Sequence, residues 1–295
     1  MPALELVLLG TGSPLPNPDR CGAGHVVIAG DLRVMVDCGW GVARRLFAAG
    51  IPPPAIDAVC YTHLHSDHIT DTPDLLIMRW AGGAKKPLEV YGPVGTKAMI
   101  DGFLAARSAD IGYRFAHHGE KLSREGIVCN VREIPATPDR TRAVEIAGLT
   151  IDAFEVDHFP VAPALGYRFE REGRSLVFSG DTKKCGGLVR GARDADLLVS
   201  EALNAGMWQI MVARIRQMGN ENTAGVMEDV PSYHSTTLEV AEMARDAGVK
   251  HLVLSHLLPS PPADGPLVDN FANGMAEIYG GPITIGKDLQ RFAIE

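Results

Sequence analysis

The stretch Thr62-His63-Leu64-His65-Ser66-Asp67-His68 constrains this chain more than any other. Four side chains able to bind a metal fall within six positions, directly after the apolar run from Ile56 to Tyr61. A short apolar run of that kind predicts a buried strand. Side chains of an extended segment alternate between faces, so His63, His65 and Asp67 are expected on one side, with His68 where the chain turns. Imidazole nitrogens and carboxylate oxygens suit zinc, manganese or iron(II). No cysteine stands among them, which argues against a structural zinc knot.

Length bounds the architecture: 295 residues make one large α/β domain or two small ones. Acidic residues outnumber basic ones, 36 to 28, for a net charge of -8, a balance that does not favour a large nucleic-acid surface. The five cysteines (Cys21, Cys38, Cys60, Cys129, Cys185) are scattered and form no C-x-x-C pair, as expected of small buried residues in a reducing compartment. The start of the chain has neither a basic segment nor a long apolar core, so no signal peptide and no membrane span are expected, and the expected location is the cytoplasm.

Along the chain, Leu4–Leu9 reads as a strand entering the turn-forming run Gly10-Thr11-Gly12-Ser13-Pro14, whose spacing is not that of a P-loop. Two strands near His25–Ala29 and Leu32–Val36 are joined by Gly30-Asp31. Asp37 then stands either as a turn former or as an outer partner of a ligand histidine. Val42–Ala49 reads as a helix closed by Gly50. Leu75–Trp80 and Thr96–Ala106 have helical spacing, Leu88–Tyr91 reads as a strand, and His117-His118 as loop residues. Further strands are expected at Leu149–Val156, delivering Asp157-His158; from Gly166 to Phe169; at Leu176–Ser179, ending in Gly180-Asp181; at Leu197–Val199, before Ser200-Glu201; and at Leu252–Ser255, ending in His256. Met207, Ile210, Met211, Ile215 and Met218 make one face of a helix, for core or dimer packing or for a pocket wall. Asn220–Val230 reads as a mobile loop. Thr236 and Glu239 fit a capping box at the start of a helix, and Phe271–Tyr279 reads as helical.

The order Gly-Thr-Gly-Ser-Pro, Asp37-Cys38-Gly39, then His-x-His-x-Asp-His resembles the metallo-β-lactamase superfamily, in its ribonuclease Z and arylsulfatase-like branch. The resemblance implies a four-layer αββα sandwich, one domain over residues 1–295, with residues of about 70–130 as a possible cap. It implies two metal ions, zinc first and manganese or iron(II) as substitutes. His63, His65 and His158 would bind one ion, Asp67, His68 and His256 the other, and Asp181 both. Asp67 would also orient a metal-bound hydroxide, and His234, in His-Ser-Thr, would protonate the leaving group, a task suited to imidazole. Members of the branch are often dimers, and the helix near Met207 offers a surface for one.

Ribonuclease Z proteins carry a long arm between the third ligand histidine and the shared aspartate. Here 22 residues separate His158 from Asp181, room for two strands and a turn. The arm is therefore expected to be missing. With the acidic balance, this favours a small ester as substrate, a sulfate ester or phosphodiester, over nucleic acid. Lactone or carboxylic ester hydrolysis, ribonuclease Z-like cleavage of RNA, and a non-catalytic binding scaffold are the alternatives.

Overall fold

Residues 2–137 and 140–295 are described by the computed structural model, as two seven-stranded mixed sheets with helices on their outer sides. The first half supplies β1 (Leu4–Gly10), β2 (Gly24–Ala29), β3 (Leu32–Val36), β4 (Ala58–Cys60), β5 (Leu88–Gly92) and β6 (Cys129–Glu133). Its helices are α1 (Val42–Ala48), α2 (Ser66–Ile69), α3 (Thr72–Ala81), α4 (Thr96–Ala106) and α5 (Ser108–His118). The second half supplies β7 (Thr141–Ile146), β8 (Leu149–His158), β9 (Val161–Arg171), β10 (Arg174–Phe178), β11 (Leu197–Leu203), β12 (Leu252–Leu258) and β13 (Ile283–Ile285). Its helices are α6 (Gly186–Gly191), α7 (Ala205–Gln217), α8 (Glu221–Asp229), α9 (Thr237–Ala247) and α10 (Pro266–Asp269). A last strand, β14 (Arg291–Ile294), returns to the first sheet beside β1. The orders are β14-β1-β2-β3-β4-β5-β6 and β13-β12-β11-β10-β9-β8-β7, the αββα arrangement expected. No helix among the described residues is long and apolar enough to cross a membrane.

Strands covered on both faces read as continuous apolar runs. Leu4, Leu6 and Leu8 of β1 pack between the sheets with Phe169, Leu176 and Phe178. Val7 and Leu9 join Val42, Leu46 and Leu75 on the outer side. In β11, Leu197 and Val199 face the other sheet, while Leu198 packs with Val240 and Ala244 of α9. Each such side chain contributes about 1.5–3 kcal/mol relative to leaving it in water. Two bonds tie the sheets together where the metal string begins: Tyr167 Oη donates to Tyr61 O at 2.9 Å, and Leu165 N to Thr62 O at 2.9 Å.

Several elements differ from expectation. The strand before the string is only Ala58–Cys60, and the string is not extended: His63 and His65 lie in a loop, and Asp67 and His68 in α2. The expected loop at 220–230 is largely α8, opened by the Asn220 side chain accepting from Thr223 N at 3.1 Å. Its Ala224 and Met227 pack on Trp208 of α7, whose Nε1 donates to Met227 O at 2.8 Å. That contact turns the buried face of α7 to Trp208 and Val212, leaving Ile210 58% and Met218 80% exposed. Between 271 and 279 only Met275–Glu277 forms a 3-10 turn, after Gly274 with φ 82°, yet Phe271, Met275 and Tyr279 are all buried. Their spacing reported burial rather than a helix. His117 and His118 end α5 on the surface instead of lying in a loop.

Candidate metal centre

The turn after β3 prepares the place of the string. Cys38 N donates to His68 O at 2.7 Å, and a side chain at Gly39 would stand 2.1 Å from Asp67 O, so only glycine lets the two turns meet. Asp37, with φ 58°, points its carboxylate inward and accepts from Thr62 N and Thr62 Oγ1, both at 2.8 Å, and from His68 Nδ1 at 2.9 Å. It is thus the outer partner of a string histidine. Having donated to Asp37, Thr62 Oγ1 is free to accept from His63 Nδ1 at 3.1 Å. His158, at the end of β8, donates from Nδ1 to Tyr233 O at 2.8 Å. In each ring the Nδ1 proton is committed outward, which leaves Nε2 bare and facing in, the arrangement a metal ligand needs.

The second sheet brings the remaining groups to the same edge. β10 runs out into Gly180, with φ 60°, and then Asp181. A β-carbon at Gly180 would lie 2.7 Å from Leu165 O. His256 sits in β12 with φ 42°, at the shift in register against β11.

All seven expected ligands come together. His63 Nε2 and His158 Nε2 lie 3.1 and 3.3 Å from His65 Nδ1, and 3.8 and 3.9 Å from Asp181 Oδ2. On the other side, Asp67 Oδ2 is 3.1 Å from His256 Nε2 and 3.5 Å from His68 Nε2, which lie 3.5 and 3.4 Å from Asp181 Oδ2. Asp181 therefore touches both groups. Six of the seven are buried; His65 is exposed.

The electrostatics show what this cluster lacks. Burial, foremost, pulls His63, His65 and His158 below the usual imidazole range. Burial would do the same to His68, but Asp181, Asp67 and Asp37 hold it well above that range. Desolvation opposes ionisation of Asp181, yet His256, His68 and His63 keep its carboxyl well below the usual value. Three carboxyl groups, of Asp37, Asp67 and Asp181, thus lie within 3.5 Å of the His68 ring nitrogens. His68 Nε2 and Asp181 Oδ1 are buried without a hydrogen-bond partner among the described residues. His63 Nε2 and His158 Nε2 converge on His65 Nδ1, and one proton there can serve only one of them fully. Cations at this nitrogen-and-oxygen donor set would satisfy these groups together, so the residues present fit metal ions.

His234 lies beside the cluster, its ring stacked on His256 at 5.7 Å between centroids and edge-on to His158 at 5.1 Å. Its Nδ1 is 2.7 Å from Glu201 Oε2, a partner that sequence reading missed. Burial and then Asp181 push the Glu201 carboxyl well above its usual range, and burial lowers His234. A proton shared at this contact would fix the tautomer and the orientation of the His234 ring. The available signal was an acid beside Ser200 in a strand, Leu197–Leu203, that is otherwise apolar and buried along its whole length.

Comparison with known proteins agrees with this geometry. The beta-lactamase superfamily domain matches residues 32–257. Ribonuclease Z of Mycobacterium bovis (strain BCG / Pasteur 1173P2) is 38% identical over 295 residues, spanning 99% of this chain and 98% of its own. Ribonuclease Z of Mycobacterium marinum is 37% identical with 99% of each chain covered. Among solved structures, the short form of human tRNase Z superposes with a TM-score of 0.72 at 22% identity over 99% of both chains. The metallo-beta-lactamase fold protein YhfI of Bacillus subtilis gives 0.69 at 22% identity over 98% of both.

These relatives correct the expectation of a small-molecule ester partner with nucleic acid set aside. β9 and β10 do fill the 22 residues between His158 and Asp181, but relatives of the same length bear the ribonuclease name, so a short connection does not exclude RNA. Nor does the net charge. Asp67 and Asp181 are buried at the centre, where metal ions would offset their charge, so the total misreports the surface a substrate meets. The chain belongs to the beta-lactamase superfamily, among the relatives of ribonuclease Z, and is a metal-dependent hydrolase.

Proposed function

We propose that this protein is a ribonuclease of the ribonuclease Z kind, hydrolysing a phosphodiester bond of RNA with two divalent ions, zinc first. The observation that carries the reading is the meeting of two three-residue groups on one carboxylate, Asp181, in a chain whose ribonuclease Z relatives match it end to end. His63, His65 and His158 hold one ion, Asp67, His68 and His256 the other, and Asp181 both. When bound, the ions make water a nucleophile near neutral pH and draw charge from the phosphoryl oxygens.

The chain's own groups supply the rest. Asp67, fixed by His256 and His68, accepts a hydrogen bond from the attacking water and sets its direction. Asp37 and Tyr233 O hold the ligand rings in one tautomer. His234 gives its Nε2 proton to the leaving oxygen, and Glu201, 2.7 Å behind it, passes a proton to Nδ1.

The test uses a structured RNA with a 3′ extension and, beside it, an aryl phosphodiester, with Asp67→Ala as background. Cleavage of the RNA that needs both metal and Asp67 is expected; an intact RNA with two ions bound per chain would end the reading. His234→Ala is expected to keep its metal and to lose about 10²–10⁴-fold on the RNA, where the leaving group is a poor one. Loss on p-nitrophenyl esters should be much smaller. Equal losses on both would remove the acid role.

A further inference from the structure

Beside His158, a cavity of about 410 Å³ opens between the β8–β9 turn and the start of α6. Such a volume takes one small-molecule-sized group, not a helix. Its walls include Phe159, Val161, Ala164, Cys185 and Gly187, with His158 of the metal cluster at its edge. The wall is firm: a β-carbon at Gly187 would lie 2.1 Å from Glu155 O, so α6 packs directly on β8.

Phe159 stands out on this rim. It is 73% exposed, although it neighbours a buried histidine in sequence. Among the described residues no other ring packs against it, whereas Tyr233 is already committed, edge-on to His158 at 5.4 Å and tilted on His234 at 4.9 Å. Glu155, Asp157 and Arg190 also line the cavity, and Asp157 Oδ2 lies 3.2 Å from Lys183 Nζ, so cations offset part of the acidic charge a polyanion would meet there. A phenyl ring left open next to a phosphodiester-cleaving centre matches what an unstacked base requires, since every base has a face to stack and single strands are gripped in this way.

We propose that this cavity is the subsite for the nucleobase adjoining the scissile phosphate, with Phe159 as the ring on which that base stacks. The proposal deepens the RNA reading above and rests on it.

The test compares two esters with the same leaving group, uridine 5′-(p-nitrophenyl phosphate) and methyl p-nitrophenyl phosphate, on the metal-loaded protein. The readout is the ratio of their kcat/KM values. The wild type should favour the nucleoside ester by about 5- to 150-fold, the range of one base–aromatic stack. Phe159→Leu should bring the ratio near one, and Phe159→Tyr should keep it. A ratio near one in the wild type, or an undiminished ratio in Phe159→Leu, overturns the subsite while phosphodiester hydrolysis stands. If neither ester is cleaved, the phosphodiester reading fails and the subsite falls with it. A second readout does not need turnover: fluorescence anisotropy of a labelled single-stranded trinucleotide on the metal-free protein. Weaker binding by Phe159→Leu is expected, and equal binding by the two proteins overturns the proposal.

Discussion

The two halves of the molecule build one centre in opposite ways. The first half gives four of its proposed ligands in six consecutive positions, on one loop and the first turn of α2. The second half gives His158 at the end of β8, Asp181 just past β10 and His256 within β12, with Glu201 and His234 between Asp181 and His256 in sequence. In the first half the ligands follow one another in sequence, and the turn Asp37-Cys38-Gly39, 25 to 31 positions earlier, braces them together. In the second they are spread over about a hundred positions, and sheet pairing brings them together. The lesson is that one metal centre can depend on local chain geometry at one side and on global topology at the other.

The sharpest way to break that comparison is Asp181→Ala, which removes the carboxylate lying within 4 Å of imidazoles from both groups. Metal content should fall, and turnover should drop by more than the about 100-fold that bounds loss of an outer partner. Metal analysis on the purified variant checks this; two ions retained would mean that the contiguous string suffices alone. Asp37→Asn tests the local side. The amide would set an N–H group or a poorer acceptor against Thr62 and His68, and metal affinity should weaken by about 10- to 100-fold, measured by chelator competition. An unchanged affinity would show that the turn is held by its backbone bonds alone.

A smaller effect comes from His25, between the sheets, stacked on Phe178 at 5.4 Å. Burial, with His68 and His256 nearby, pulls it down to about 3. In the unfolded chain it takes a proton near pH 6.5, while in the folded protein it stays neutral, so the unfolded state binds more protons between those values. Stability from this group is therefore complete above about pH 6.5 and is lost as pH falls toward 3, by at most about 1.4 kcal/mol per pH unit. Denaturation midpoints of wild type and His25→Leu between pH 5 and 7 should show the shallower dependence in the variant. Parallel curves would mean that His25 is protonated inside the fold.

Legibility followed the same division. The apolar strands were readable because both faces are covered, and Thr236 with Glu239 does form its capping box. Asn220–Val230 was misread because polar composition hid the two residues, Ala224 and Met227, that find Trp208. The stripe on α7 was read about one position off for the same reason, since its partner α8 chooses the face. Glu201 was passed over because its function lies in a contact 33 positions away.

By itself the sequence determined the string His63 to His68, through side-chain chemistry over a few residues, while its resemblance to a known superfamily implied the sandwich class and named His158, Asp181 and His256 as further candidates. Only the tertiary structure put Asp181 within 4 Å of both groups, set Glu201 behind His234, and left Phe159 open beside a cavity. Those facts depend on how the strands pair, antiparallel from β8 to β10 and parallel from β10 to β12, and on what the turns leave uncovered. Distance between residues far apart in the chain is a property of the packed sheets and of no single stretch.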